Sequence, residues 1–155
     1  MPEGSTPRLW LTVQRVSRSN PLPSDTQLRL WMRRGLERSA RVTLRIVDRH
    51  EGQILNRDYR GKDYPTNVLT FPYETPPGSA RLNGDIVLCA PVVRMEALSQ
   101  KKPLWDHYAH LVIHGILHLQ GYDHEEESDA ILMEDMEIRY LASLNIPNPY
   151  TECAP

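Results

Sequence analysis

The chain has few cysteines and no long hydrophobic run. Two of its 155 residues are cysteine, at positions 89 and 153, and they show no CxxC spacing. We therefore expect neither a disulfide framework nor a cysteine metal site. No run approaches the roughly 18 apolar residues of a membrane-spanning helix, and no basic segment precedes an apolar core at the N-terminus. These absences predict a cytoplasmic protein that does not associate with membranes.

Aromatic residues are also scarce, at 7% of the chain with a single phenylalanine. Proteins that read single-stranded nucleic acid by stacking bases depend on such rings, so sequence-specific base reading is not predicted. Hydrophobic residues at 40% and charged residues at 25% are ordinary for a globular protein. The length favours one domain. We expect a single domain over 1–155, with loose termini at 1–7 and 151–155.

The net charge of −2 conceals a strong asymmetry between the two halves. Residues 1–62 carry 13 Lys/Arg and 6 Asp/Glu, whereas residues 63–155 carry 5 and 14. Such asymmetry is typical of a protein with one side facing a polyanion. The alternative is that the two halves attract each other in the fold, since charge patterns inform about association rather than fold.

Hydrophobic periodicity and turn residues predict four strands and five helices. The predicted strands cover 8–16, 40–48, 67–71 and 84–89. The predicted helices cover 24–39, 50–59, 91–100, 105–120 and 126–143. Strands and helices mix without regular βαβ alternation, which predicts an α+β fold with one small sheet. The last helix is expected to bury Ile131, Met133, Met136, Ile138, Leu141 and Leu144.

Four of the six histidines lie in the stretch HLVIHGILHLQGYDH, residues 110–124. His114 and His118 are four residues apart, so they share one face of a helix. Gly121 accepts the left-handed conformation that ends a helix, and the chain can then return His124 to the same point. His110 is about 12 Å along the axis from His118, too far to share an ion with it. His110 and His107 are instead expected in the approach or the surrounding shell.

Three imidazoles with an open position form the pattern of a catalytic rather than a structural metal site. Neutral imidazoles favour one Zn²⁺ per chain, with copper, nickel and iron as chemical rivals. Zinc in such a site makes water nucleophilic at neutral pH. Asp123, beside the third histidine, either orients an imidazole or forms a turn.

The HxxxHxxGxxH spacing matches that of the metzincin peptidases, whose general base is a glutamate directly after the first histidine. Here that position is Gly115, which cannot accept a proton. A metallopeptidase-like hydrolase therefore keeps its metal ligands but loses its base, and it remains an alternative.

Two longer motifs carry a resemblance to a known family. The segments HGILHLQGYDH (114–124) and YRGKDYPTNVLTFPYE (59–74), with NGDIVLC (83–89) between them, resemble the YbeY family of bacterial metal-dependent endoribonucleases. The resemblance covers about residues 40–150. It implies a compact α+β domain with a small mixed sheet. It also implies a zinc ion held by His114, His118 and His124, and Arg60 at the active cleft.

The resemblance further implies a single-strand-specific endoribonuclease acting in ribosomal RNA maturation, at the 3′ end of the small-subunit RNA, and in ribosome quality control. Arg60 and His114 are the expected catalytic residues, because a guanidinium suits phosphate. The expected partners are single-stranded or ribosomal RNA and the ribosome or its associated proteins. A non-catalytic ribosome-assembly factor with a structural metal is a further alternative. Weaker candidates for substrate contact are Lys62, Asn67, Arg33 and Arg34.

Asp85 follows a glycine at the start of a predicted strand. It is either a turn residue or a base near the metal, and the turn is the favoured interpretation.

Overall fold

A computed structural model describes residues 6–74 and 78–151, which form four strands and five helices. This confirms the α+β class and the predicted number of elements. The expectation of a single domain stays a prediction, and residues 1–5 and 152–155, where most of the predicted loose termini fall, lie outside the described residues. In chain order the elements are β1 (Leu9–Arg15), α1 (Asp25–Gly35), β2 (Ala40–Val47), α2 (Arg49–Arg60), β3 (Val68–Pro72), β4 (Leu82–Cys89), α3 (Ala90–Ser99), α4 (Leu104–Leu119) and α5 (Glu127–Ala142).

The four strands form one mixed sheet in the order β1-β2-β4-β3. Strands β1, β2 and β4 are parallel, and β3 pairs antiparallel with β4 at the edge. Because side chains alternate along a strand, Leu44 and Ile86 belong to the main core shared with α1 and α4. Val87 belongs to a smaller cluster on the opposite face, against which Leu55 of α2 packs.

Helix α4 is enclosed on most of its surface, with ten of its 16 residues buried. It lies so close to β4 that a Cβ atom on Gly115 would stand 3.1 Å from Cδ1 of Ile86. A larger side chain at 115 would therefore have to displace a core residue. His114 and His118 remain half-buried, on the part of the helix that the core leaves open.

Helix α1 ends at Gly35, four residues earlier than the sequence predicts. The side chain of Gln120 explains this end, because its Oε1 accepts hydrogen bonds from the backbone N–H of Glu37 and of Arg38, at 2.6 and 3.1 Å. Its Nε2 donates to the carbonyl of Gly35 at 2.8 Å. A residue 85 positions along the chain thus terminates the helix, which no local pattern reveals.

The buried face of α5 differs from the predicted one. Met133, Glu137 and Leu141 are buried, whereas Ile131 is 53% exposed. The prediction for Ile131 was wrong because a glutamate, not an isoleucine, continues the inward stripe. Within residues 6–74 and 78–151, no helix is long and apolar enough to cross a membrane.

Candidate active site

A cleft of about 750 Å³ opens where α2, β3, β4 and the C-terminal half of α4 meet. Its lining includes His114 and His118 from α4, His124 from the loop that follows, and Arg60 from the end of α2. The sequence therefore predicted four side chains that the fold brings to one cleft, although they come from segments about 60 residues apart.

The three histidine rings face one another across short distances. Their centroids are 6.3 Å apart for His114 and His118, 5.6 Å for His114 and His124, and 5.9 Å for His118 and His124. Gly121 has φ of 105°, and its N–H donates to the carbonyl of His118 at 3.1 Å. The glycine turn thus ends α4 and returns His124 to the first two rings, as the spacing predicts.

The ring nitrogens of His114 and His118 are arranged for a metal ligand. Nδ1 of His114 lies 3.0 Å from Oε2 of Glu137, and Nδ1 of His118 lies 3.0 Å from the carbonyl oxygen of Tyr122. A carboxylate and a carbonyl only accept, so each Nδ1 carries a proton, and in the neutral ring the lone pair is then at Nε2. This second hydrogen bond is the usual support of a metal-bound histidine.

The three rings are gathered but not closed around an ion. Across residues 6–74 and 78–151, no group of three or more His, Cys, Asp or Glu side chains is tight enough to be a preformed cage. Zinc–nitrogen bonds of about 2.1 Å in a tetrahedral site imply ring centroids about 5 Å apart, somewhat less than the separations here. The donor set fits a divalent ion, and side-chain rotations would complete the site. Zinc therefore stays an expectation.

Glu137 is a functional candidate that the sequence reasoning missed. Its side chain is 1% exposed, and its Oε1 accepts hydrogen bonds from Nε2 of His110 at 2.6 Å and from the hydroxyl of Tyr150 at 2.7 Å. Burial alone would raise the pKa of Glu137, but the hydrogen bonds from His110 and His114 outweigh it and lower the pKa to about 2. The sequence did contain a signal for this residue: Glu137 lies four residues from both Met133 and Leu141, so a charged residue interrupts the apolar face of the predicted helix.

His110 and His107 do not line the cleft. His110 lies behind His114 and shares Glu137 with it. His107 is 3% exposed, and its Nε2 lies 2.9 Å from Oε1 of Glu96. Of the two, His110 alone shares a hydrogen-bond partner with one of the three gathered histidines.

Arg60 is exposed and lines the cleft. Within the described part of the chain it forms no ion pair with a carboxylate, so its guanidinium is available to an anionic ligand. Lys62 is exposed two residues further on, past Gly61, and it does not line the cleft.

Asn67, Arg33 and Arg34 are also not brought to the cleft. The Asn67 amide donates to Glu96 at 3.0 Å and accepts from the N–H of Val68 at 2.6 Å. Both ends of that amide are therefore engaged in supporting β3. Arg33 and Arg34 are exposed near the end of α1. Any contact they make with a substrate lies outside the cleft.

Asp85 lies within β4, opposite Thr43 on one side and Phe71 on the other. Its interpretation as a turn residue was therefore wrong, because the strand begins at Leu82, two residues before the predicted start at Gly84. The carboxylate lines the cleft and accepts a hydrogen bond from the hydroxyl of Tyr73. This bond raises the pKa of Tyr73.

Asp123 forms a turn. Its Oδ1 accepts from the backbone N–H of His124 at 2.6 Å and of Glu125 at 3.3 Å. These bonds shape the loop that carries the third histidine, so Asp123 orients His124 through the backbone.

Three aromatic rings line the same cleft, which the low aromatic content did not suggest. Tyr59 is 68% exposed, and its ring packs edge-on with Phe71 at a centroid distance of 4.6 Å. Tyr73 completes the set. All three rings belong to the segment 59–74, and the fold brings them to the same cleft.

Comparisons with known proteins identify the family of the chain. A family profile described as Endoribonuclease YbeY matches residues 24–145. Two relatives called Endoribonuclease YbeY are each 54% identical to this chain. The one from Methylobacillus flagellatus aligns over 94% of this chain and 95% of its own length, and the one from Thiobacillus denitrificans over 93% and 97%.

A solved structure shares the fold at lower identity. The solution structure of TM1509 from Thermotoga maritima is 23% identical, with a TM-score of 0.55 over 93% of this chain and 99% of that one. The fold is therefore shared with a protein of experimentally determined structure. Together, the profile match and the full-length relatives show that the chain belongs to the YbeY endoribonuclease family.

Proposed function

We propose that this protein is a zinc-dependent endoribonuclease that cuts single-stranded RNA. The observation that carries the proposal is the placement of three histidines in one open cleft with Arg60, with Nδ1 of His114 and of His118 each bonded to an acceptor behind the ring. Membership of a family whose relatives are called endoribonucleases supports the reaction type.

His114, His118 and His124 would hold the ion. A bound zinc ion supplies a Lewis acid and lowers the pKa of water at the site. The remaining chemistry belongs to side chains of the cleft. Arg60 presents a planar fork of donors to phosphate oxygens and neutralises charge that develops on them.

We propose Asp85 as the carboxylate that moves a proton. It lines the cleft on the face of the sheet that carries Val87, and the hydroxyl of Tyr73 fixes one of its oxygens. Within residues 6–74 and 78–151 its other oxygen has no hydrogen-bond partner, so it can accept a proton from an attacking hydroxyl, either water or the 2′-hydroxyl of RNA. In this role Asp85 replaces the glutamate that metzincin peptidases carry at the position of Gly115.

The edge of β3 argues against a peptide substrate. Between β3 and β4, the N–H of Tyr73 donates to the carbonyl of Asn83, and the N–H of Cys89 donates to the carbonyl of Asn67, both at 3.0 Å. In an antiparallel pair the intervening residues of β3, at positions 68, 70 and 72, therefore direct their backbone groups away from β4, towards the open edge of the sheet. The N–H of Val68 is donated to Asn67, and Pro72 has none. Two of three outward positions therefore cannot donate to an added peptide strand, which this kind of recognition requires.

Two features of the cleft bear on RNA binding: its aromatic rings and the excess of acids in its lining. Tyr59 and Phe71 offer flat apolar surfaces on which unpaired bases stack. Arg45 is paired with Glu51 at 2.5 Å, so acids at 85, 123 and 125 outnumber the unpaired Arg60 in the lining. RNA binding is therefore expected to depend on a divalent ion that offsets these charges.

We further propose that the substrate is ribosomal RNA, with maturation of the small-subunit 3′ end and ribosome quality control as the biological roles, in the cytoplasm. The exposed arginines of α1, at 29, 33 and 34, support contact with a large RNA or the ribosome outside the cleft.

The test is cleavage of a labelled single-stranded RNA by purified, zinc-loaded protein, with a duplex of the same sequence as comparison. We expect cutting of the single strand, loss of cutting with a chelator, and recovery when Zn²⁺ is added back. Cleavage of an unfolded protein substrate with intact RNA would instead favour the metallopeptidase. Zinc-dependent stability without turnover of either substrate would favour the assembly factor.

A further inference from the structure

We propose that Glu137 is a positioning residue that fixes His114 in the tautomer and orientation needed to bind a metal, and that Tyr150 completes this hydrogen-bond network from the C-terminal segment. The inference deepens the proposed function, because it rests on His114 being a metal ligand. It does not depend on which substrate the metal serves.

The carboxylate of Glu137 accepts hydrogen bonds from three side chains. Its Oε2 accepts from Nδ1 of His114 at 3.0 Å, while its Oε1 accepts from Nε2 of His110 at 2.6 Å and from the Tyr150 hydroxyl at 2.7 Å. The side chain is 1% exposed, so water does not replace a missing partner. The Tyr150 hydroxyl also lies 3.3 Å from Nε2 of His110, so the three donors and the two carboxylate oxygens form one connected network.

This arrangement selects one tautomer of His114. Because an ionised carboxylate only accepts hydrogen bonds, the proton of His114 is held at Nδ1 and the lone pair at Nε2 points away from Glu137. A ligating histidine needs that lone pair, and the hydrogen bond also makes the imidazole a stronger donor to the ion. The opposite tautomer would place a proton where the ion binds.

The C-terminal segment is part of the same network. The Tyr150 ring packs edge-on against His110 at a centroid distance of 5.4 Å, and Nζ of Lys102 donates to the carbonyl of Pro149 at 2.9 Å. The segment after α5 therefore packs behind the metal ligand. Removing the Tyr150 hydroxyl would free part of Oε1 and loosen the carboxylate that orients His114.

A purely structural role for Glu137 is the competing explanation, since the same bonds join α5 to α4. The two explanations differ in one measurable quantity. A structural link changes the stability of the metal-free protein, whereas a positioning residue changes the affinity for metal of protein that is still folded.

The experiment is a competition titration of Zn²⁺ between the protein and a chromophoric chelator, with folding of the metal-free proteins checked by circular dichroism. The variants are Glu137→Gln, Tyr150→Phe and the control Asp135→Asn, an exposed acid on the same helix. The amide of a glutamine at 137 has one oxygen that accepts, and its NH₂ group would face one of the three donors, His110, His114 or Tyr150. We expect zinc affinity to fall about 10–100-fold for Glu137→Gln, less for Tyr150→Phe, and not at all for Asp135→Asn.

A folded Glu137→Gln protein that binds zinc as tightly as the wild type would overturn the inference. The nitrogen chemical shifts of His114 in the metal-free wild type give a readout that needs no variant. In the neutral ring we expect the proton at Nδ1, and a neutral ring with its proton at Nε2 would overturn the inference even if Glu137→Gln does not fold. A wild type that binds no zinc contradicts the proposed function itself, whereas tight zinc binding without RNA cleavage contradicts only the nuclease.

Discussion

His114 and His118 lie one helical turn apart, yet their Nδ1 atoms are held by different partners. A buried carboxylate holds the first and the backbone carbonyl of Tyr122 holds the second. The pKa of His118 is lowered, chiefly by burial, which keeps the ring neutral and able to donate its lone pair. Two residues of the same type in one motif therefore receive their orientation from unrelated parts of the fold.

Substitution of Arg60 tests whether its guanidinium stabilises charge on the phosphate during cleavage. We expect Arg60→Lys to keep the positive charge but lose the planar fork, and kcat for RNA cleavage to fall about 10–100-fold with little change in KM. Arg57→Lys is the matched control, because Arg57 lies on the same helix and pairs with Asp58 at the surface. Equal kcat values for both variants in a steady-state assay would remove Arg60 from the mechanism.

Tyr59 tests whether bases stack in the cleft. We expect Tyr59→Leu to weaken binding of a short single-stranded RNA about 5–150-fold, because base–aromatic stacking contributes about 1–3 kcal/mol. Tyr64→Leu is the control, since Tyr64 is 53% exposed and does not line the cleft. Fluorescence anisotropy measures both affinities, and indistinguishable losses for the two variants would show that the ring of Tyr59 is not a stacking surface.

Individual residues were predictable where one motif contains the whole geometry. The spacing of His114, His118 and His124 and the glycine between them follow from helix periodicity and a left-handed turn. Glu137 and Asp85 were not predictable in the same way. Glu137 reaches His114 from another helix, and Asp85 gains its place only once β3 and β4 pair. Their roles depend on contacts between segments that the sequence does not order in space.

At the scale of helices and strands, local patterns placed every element, and the errors lie at their ends. The capping box at Ser24 and Gln27 was readable as the start of α1. Its end at Gly35 was not, because Gln120 from α4 takes up the backbone groups there. Tertiary contacts of this kind override helix propensity, which is a weak preference.

Gln120 therefore joins α1 to the helix that carries two of the histidines. We expect Gln120→Ala to lower the free energy of unfolding by about 1–2 kcal/mol, because two backbone N–H groups and a carbonyl lose their partner. For a chain of this size that corresponds to a fall in Tm of about 3–6 °C.

Gln53→Ala is the comparison, since the Gln53 side chain donates to a surface carboxylate, that of Asp63, at 2.9 Å. Thermal unfolding followed by circular dichroism gives both values. A Tm for Gln120→Ala no lower than that of Gln53→Ala would mean that the link between α1 and α4 contributes nothing measurable.

At the scale of the whole molecule, charge is unevenly distributed over the described residues. Exposed arginines lie on α1 and at the start of β2, whereas acids outnumber arginines in the cleft lining. The sequence showed this asymmetry but left its meaning open. The structure places Arg33 and Arg34 outside the cleft, so their contribution is expected to be long-range attraction of RNA rather than contact with the reacting phosphate.

The double variant Arg33→Gln/Arg34→Gln tests this division of roles. We expect weaker binding of a long RNA and a shallower dependence of log affinity on log salt, because fewer counterions are released. Cleavage of an RNA short enough to occupy only the cleft is expected to proceed at the wild-type rate. A large loss of cleavage on the short RNA would instead place these arginines at the reaction itself.

The most direct measurement of the account is the rate of RNA cleavage as a function of zinc bound per chain, in the wild type and in His114→Ala, His118→Ala and His124→Ala. We predict that the wild-type rate rises in proportion to bound zinc and levels off at about one ion per chain. The three folded variants are predicted neither to retain zinc nor to cut RNA. Wild-type cleavage rates in any of these variants, in the presence of a chelator, would contradict the account.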